Sequence, residues 1–169
     1  TRYIGVSNFD ADQMREAWAT APFQTNQPRY NMFDREIEAR DMPFCEAYGI
    51  GLLTHSTLAK GLLTGKYEPG YEFPPDDERS RFERYQGDSF RRYLQVADRL
   101  EDLARDKGLT LVQLAIAWAL RRPVVTTALV GAKNPDQVKE HLGAVDVAFT
   151  EDELARIDDI LRDAPGPTR

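Results

Sequence analysis

Two rhythms of apolar and polar residues alternate along this chain, and each change from strand-like to helix-like spacing predicts one β–α unit. Tyr3 to Val6 reads as a short strand ended by Ser7-Asn8. Asp10 and Gln13 form a capping-box pair, Met14, Ala17 and Trp18 give the next helix one apolar face, and Pro22 closes it. Phe23 to Gln27 predicts a second strand. After a loose turn from Arg35 to Asp41, Pro43 fits the first helical position, Phe44, Ala47 and Tyr48 cover the core, and Gly49 is the stop. Ile50 to Thr54 predicts a third strand, apolar enough to be buried on both faces. Phe90 to Lys107 has Phe90, Leu94, Ala97, Leu100 and Leu103 at helical steps, with Gly108 as its stop. Thr110 and Gln113 cap a helix whose run Leu111 to Leu120 is apolar nearly all round. Val124 to Val130 is the fourth predicted strand. Asn134 caps and Pro135 opens a short helix through His141, and Thr150 with Glu153 caps the last, with Leu154, Ile157 and Leu161 inward.

Four strand–helix units with parallel-sheet chemistry can make a small open sheet or half of an eight-stranded (β/α) barrel. Every polar cluster falls at the carboxyl end of a strand, where barrels gather their ligand-binding residues, and this favours the half-barrel. The run Gly61-Leu62-Leu63-Thr64-Gly65-Lys66-Tyr67, just beyond the third strand, has the layout of an anion site. Its glycines allow a close backbone approach, and a lysine stands beside them. From Tyr67 to Ser89 runs a long polar segment rich in proline, glycine and charge, of a length that marks a functional or disordered loop.

Composition narrows the function classes. The 169 residues make one domain with a real core, and 41% apolar with 30% charged content is ordinary for a globular protein. A net charge of −6 argues against a nucleic-acid surface or an acidic membrane partner. No apolar run approaches the ~20 residues needed to span a bilayer, and no signal-peptide pattern opens the chain. One cysteine, Cys45, excludes an internal disulfide, and two histidines without a metal-site pattern argue against a metal centre. A reducing, cytoplasmic setting follows. Thr1-Arg2 leads straight into a core strand, the mark of a fragment or a truncated gene product.

Taken one at a time, the polar residues at the strand ends have ordinary readings. Ser7-Asn8 is a helix-entry turn, His55 a buried histidine, Lys66 and Arg79 solvated cations, and Lys133 with Gln137 a helix start. In order, however, five segments resemble the carboxyl-terminal half of the aldo-keto reductases, a TIM-barrel family of NAD(P)H-dependent oxidoreductases. They are I-G-V-S-N-F at Ile4–Phe9, Q-x-x-Y-N at Gln27–Asn31, G-I-G-L-L-T-H-S-T-L-A-K-G-L-L-T-G-K-Y at Gly49–Tyr67, L-A-I-A-W-A-L at Leu114–Leu120, and V-G-A-K-N-P-D-Q-V-K-E-H at Val130–His141.

The resemblance implies residues 1–162 as the last four βα units of a (β/α)8 barrel, with a cofactor-covering loop at 67–89 and a tail at 163–169. It implies that Ser7, Asn8 and Gln27 hold the nicotinamide carboxamide, whose one acceptor and two donor hydrogens suit such side chains. His55 stands where the family usually stacks an aromatic ring on the nicotinamide. Ser56, Leu58 and Gly61 would line the pyrophosphate path, Lys66 would reach its phosphates, and Arg79, or else Arg81, would close over it. At the adenosine end stand Gly131, Lys133, Gln137, Glu140 and His141. Lys133 replaces the frequent serine or arginine, and His141 the usual asparagine. Lys133 at a helix start suits the extra phosphate of NADP(H), with NAD(H) left open. The family's catalytic tyrosine, lysine, aspartate and histidine come from the other half of the barrel. The resemblance therefore implies reduction of a small-molecule carbonyl substrate only when this chain joins a missing amino-terminal half-barrel. Two alternatives are a non-catalytic NADP(H)-binding module like the potassium-channel β subunits, and a half-barrel that pairs with a second copy of itself.

Overall fold

The computed structural model describes residues 1–166. Four strands, β1 (Gly5–Ser7), β2 (Thr25–Gln27), β3 (Gly51–Thr54) and β4 (Val125–Ala128), lie side by side in chain order. Every neighbouring pair is parallel, so all four carboxyl ends emerge on one side. Helices α1 (Ala11–Thr20), α2 (Asp41–Tyr48), α3 (Gly87–Asp106), α4 (Leu111–Leu120), α5 (Pro135–Leu142) and α6 (Glu151–Leu161) complete the units. This is an α/β fold with half a barrel's worth of strands.

Local chemistry explains most boundaries. Asp10, Thr110 and Thr150 close complete capping boxes with Gln13, Gln113 and Glu153, satisfying amide groups that a helix start leaves unpaired. Gly49 ends α2 in a left-handed conformation, φ 67°. Pro43 departs from expectation. It occupies the third position of α2, not the first, where its missing N–H is still one that no intrahelical carbonyl awaits. The strands are shorter than the apolar runs suggest. Tyr3 and Ile4 precede the ladder and are exposed, and Phe23 packs edge-on against Trp18 beneath α1.

β3 also differs from the two-sided burial expected of it. Leu52 and Thr54 are buried, while Gly51 and Leu53 are only partly covered, because helices lie on one face of the sheet. The other face carries a row of Gly5, Thr25 and Gly51, paired across the strands, and β4 adds an extra residue, Thr126, at a bulge beside Leu52. On the covered face α4 is buried nearly all round, as its composition predicts, with Trp118 stacked on Tyr30 at 5.1 Å.

The long segment after Tyr67 is more ordered than its polarity suggests. α3 begins at Gly87, three residues before Phe90, so the irregular stretch is shorter, and it contains single 3₁₀ turns at Glu78–Arg81 and Glu83–Tyr85. Tyr67, Phe73 and Tyr85 are buried and pack with Tyr71 and Phe90 at centroid distances of 4.9 to 6.3 Å. The loop thus has an aromatic core of its own, which docks it on α3. Of the expected tail, residues 163–166 follow α6, and the Tyr93 hydroxyl donates to the carbonyls of Pro165 and Gly166. Residues 167–169 lie outside the described residues.

Candidate functional site

The carboxyl ends of β1, β2 and β3 are joined by a continuous chain of polar contacts. The Ser7 hydroxyl and the Asn8 amide N–H both donate to the Gln27 carbonyl, at 3.0 and 3.2 Å. Asn8, held at φ 55°, donates from Nδ2 to Ser7 Oγ at 3.3 Å and places its Oδ1 3.0 Å from His55 Nε2. His55 Nδ1 is in turn 3.1 Å from Ser56 Oγ. An amide oxygen can only accept, so with this amide orientation Nε2 carries the imidazole proton and Nδ1 accepts from Ser56. Burial first, then the charges of Arg29 and Lys60, hold the His55 pKa below its ordinary value, so the ring is neutral at pH 7. The result is a row of neutral donors and acceptors across three strand ends.

From Ser56 this row opens into a groove of about 470 Å³ between the β3 and β4 ends. One wall is Ser56, Leu58, Gly61 and Lys66, the other Gly131, Lys133, Gln137, Glu140 and His141. The floor is apolar, made by Val112, Leu129 and Val130. Lys66 and Lys133 stand exposed on opposite walls. Among the described residues neither has an ion-pair partner, although Lys66 Nζ rests 4.7 Å over the Tyr67 ring. A third cation on the rim, Lys60, is paired with Glu78. Asn134 caps α5 and Pro135 opens it, so the positive end of that helix also faces this region. The Gln137 side-chain oxygen accepts from Lys133 N at 2.7 Å.

The wall at residues 56–61 is conformationally unusual. Ser56, Ala59 and Lys60 adopt φ of 57°, 46° and 50°, each disfavoured for an L-residue by roughly 1–2 kcal/mol, and Gly61 stands at φ 104°. A Cβ on Gly61 would come within 3.1 Å of the Tyr67 ring and 3.2 Å of Lys66 Cε, so only glycine lets these residues close up here.

The structure therefore brings together every residue singled out in the sequence except the two alternative loop arginines, Arg79 and Arg81, neither of which lines the groove. Ser7, Asn8, Gln27 and His55 form the strand-end row, and Ser56, Leu58, Gly61, Lys66, Gly131, Lys133, Gln137, Glu140 and His141 form the groove. Arg79 lies apart from the groove lining. Asp77 holds it, and it donates to the Tyr67 hydroxyl and, at 3.0 Å, to the Lys60 carbonyl. Sequence reasoning missed Thr57, Lys60, Thr64, Val112, Leu129 and Val130 in the lining, although the first three lie inside the longest matching segment. It also missed Asp34 and Arg84, a buried bidentate pair at 2.7 and 2.9 Å behind the wall. The flanking of Arg84 by Phe82 and Tyr85 in an otherwise polar loop is the signal that could have found it.

The Aldo/keto reductase family model matches residues 1–162. This chain belongs to the aldo-keto reductase family. It is 40% identical to aldo-keto reductase YhdN of Bacillus subtilis over 82% of this chain and 42% of that protein. It is 37% identical to a probable voltage-gated potassium channel subunit beta of Arabidopsis thaliana, over 96% of this chain and 53% of that protein. Among solved structures, the glycerol dehydrogenase AKR11B4 from Gluconobacter oxydans superposes with a TM-score of 0.90 at 37% identity, covering 98% of this chain and 51% of that one. The chain thus spans about half the length of the relatives it matches. As an aldo-keto reductase segment it carries half of the family's TIM barrel, as four parallel βα units. Among the described residues no helix is long and apolar enough to cross a membrane.

Proposed function

We propose that this chain is the cofactor-binding half of an NADP(H)-dependent aldehyde or ketone reductase. The observation that carries the reading is the pair Lys66 and Lys133. In a chain of net charge −6, two ammonium groups that have no carboxylate partner among the described residues line the same 470 Å³ groove beside a helix start. That is the donor set for a ligand bearing two separate phosphate groups along the groove. The apolar floor and the neutral polar row at the strand ends suit an uncharged carboxamide ring at the other end of the same ligand. These residues fit a nicotinamide dinucleotide.

In this reading Ser7, Asn8 and Gln27 orient the carboxamide, and neutral His55 offers its ring face to the nicotinamide. Lys66 neutralises the pyrophosphate, and Lys133 with the α5 start takes the adenosine-side phosphate, which selects NADP(H). When bound, the nicotinamide supplies hydride to a carbonyl carbon. The carbonyl oxygen then needs a proton donor, a group worth ~10²–10⁴ in rate. Tyr30 is spoken for by Glu38 and Arg121, and Tyr67 and Tyr85 belong to the loop's aromatic core. In this reading the acid comes from a first half-barrel outside this chain, in keeping with relatives about twice its length, and that half would close the sheet over its uncovered face.

The likeness to a potassium-channel β subunit favours a second reading, a module that binds NADP(H) without turning it over. Loss of NADPH absorbance in the full-length protein with a simple aldehyde separates the two. Steady turnover supports the reductase. Tight NADPH binding without turnover favours the module, and failure to bind NADPH removes both.

A further inference from the structure

Four residues between positions 56 and 61 have positive φ, three of them not glycine, and each has its carbonyl captured by a side chain. Asn31 Nδ2 donates to the Ser56 carbonyl at 3.0 Å. The Tyr85 hydroxyl donates to the Ala59 carbonyl at 3.0 Å. Arg79 Nη1 donates to the Lys60 carbonyl at 3.0 Å. Thr64 Oγ1 donates to the Gly61 carbonyl at 2.7 Å. Two of these donors, Arg79 and Tyr85, come from the long loop after Tyr67. A third is under the loop's control at one remove. Asn31 Nδ2 also donates to Asp34 at 2.8 Å, and Asp34 is gripped on both oxygens by buried Arg84.

We propose that Arg79, Arg84 and Tyr85 are positioning residues, which hold the phosphate-facing wall of the groove in its left-handed conformation from behind. A backbone in a sparsely populated region persists only where its surroundings over-determine it, and strain of this kind gathers at ligand clamps. Here half of those captured carbonyls are held by one loop. Its aromatic core docks it on α3, and its polar side chains reach through to two successive carbonyls of the wall, those of Ala59 and Lys60. The wall is thereby shaped before any ligand arrives, so ordering it takes nothing from the binding free energy. Arg79 acts in this scheme on the wall itself, through Lys60, and Asp77 keeps its fork aimed there.

The proposal rests on the dinucleotide reading for what the wall holds, and its test separates the two. Y85F removes one hydroxyl and keeps a buried ring; R84K keeps the charge and loses the fork. In the full-length protein, amide hydrogen exchange of residues 57–62 and NADPH affinity by fluorescence titration are measured for the parent and both variants, with α4 amides as the reference for global opening. The loss of one buried hydrogen bond predicts exchange faster by roughly two- to tenfold in 57–62, with those amides still exchanging faster than α4 amides, whose own exchange reports any change in global stability, and a Kd for NADPH raised by a similar factor. Exchange in 57–62 matching the parent in both variants overturns the proposal. So does faster exchange with an unaltered Kd, since the wall's shape would then not matter to the ligand. A parent that binds no NADPH defeats the dinucleotide reading instead, and the exchange comparison still decides whether these side chains hold the wall.

Discussion

Removing the Asp34 carboxylate should destabilise this protein more than any surface ion-pair deletion. The Asp34 side chain is 2% exposed and that of Arg84 6%, and they share two hydrogen bonds of 2.7 and 2.9 Å. Asn31 cannot replace the lost acceptor, because its Oδ1 already receives the amides of Phe33 and Asp34. D34A therefore leaves a guanidinium buried without its counter-charge, a loss of about 3–5 kcal/mol. Replacing both partners, as in D34A/R84M, removes the stranded charge and should recover most of that. D102A, at an exposed pair with Arg105, is the internal control and should leave the midpoint where it was. Urea unfolding of the full-length protein reads all three. The pair also predicts an acid limit. Burial alone would raise the Asp34 pKa, but Arg84, then Asn31 and Arg29, hold it below the ordinary carboxylate value. A depressed folded pKa gives stability that is present above the unfolded pKa and lost as pH falls through the folded one, so D34A should flatten the acid side of the stability profile. If D34A costs no more than D102A, or if D34A/R84M is as unstable as D34A, the pair is not what ties the long loop to the wall.

Other outcomes follow from single residues. His55 has its pKa lowered by burial, so below about pH 6.5 the unfolded chain takes up a proton that the folded ring resists. Stability should fall as pH drops through that region, more in the parent than in H55F, and NADPH affinity should be flat between about pH 7 and 8. Cys45 is fully buried beside Met14, and burial pushes its thiol up to about 12, so a thiol reagent should label it only as the protein unfolds. G61A forces a Cβ against the Tyr67 ring at φ 104° and should lower stability by about 1–2 kcal/mol or more in a melting experiment, together with NADPH affinity.

The fold is legible in the sequence wherever its determinants are local. Capping boxes at Asp10, Thr110 and Thr150 span three residues, and the stripe of α3 repeats every three or four, so both can be read without tertiary knowledge. Four strand–helix alternations then leave few topologies. The long loop is opaque for the converse reason. Tyr67, Phe73 and Tyr85 obey no period, and the Asp34–Arg84 pair joins residues fifty positions apart. One-sided burial of β3 is invisible too, because its composition is the same whether helices cover one face or two. The site divides in the same way. Ser7, Asn8, Lys66 and Lys133 sit inside recognisable strand-end segments. What holds the wall at 56–61 comes from side chains whose role depends on where the loop folds back, and Arg79 reads as a ligand contact until its partners are seen.

Lys66 and Lys133 bear most of the weight of the functional reading, and a fluorescence titration of the full-length protein with NADPH over a range of ionic strength tests them. Saturable binding that weakens as salt rises is predicted, with K66A/K133A weakened by about tenfold or more and its salt dependence shallower. Binding that is absent in the parent, or equal in affinity and salt response in K66A/K133A, would contradict a dinucleotide held between these two lysines.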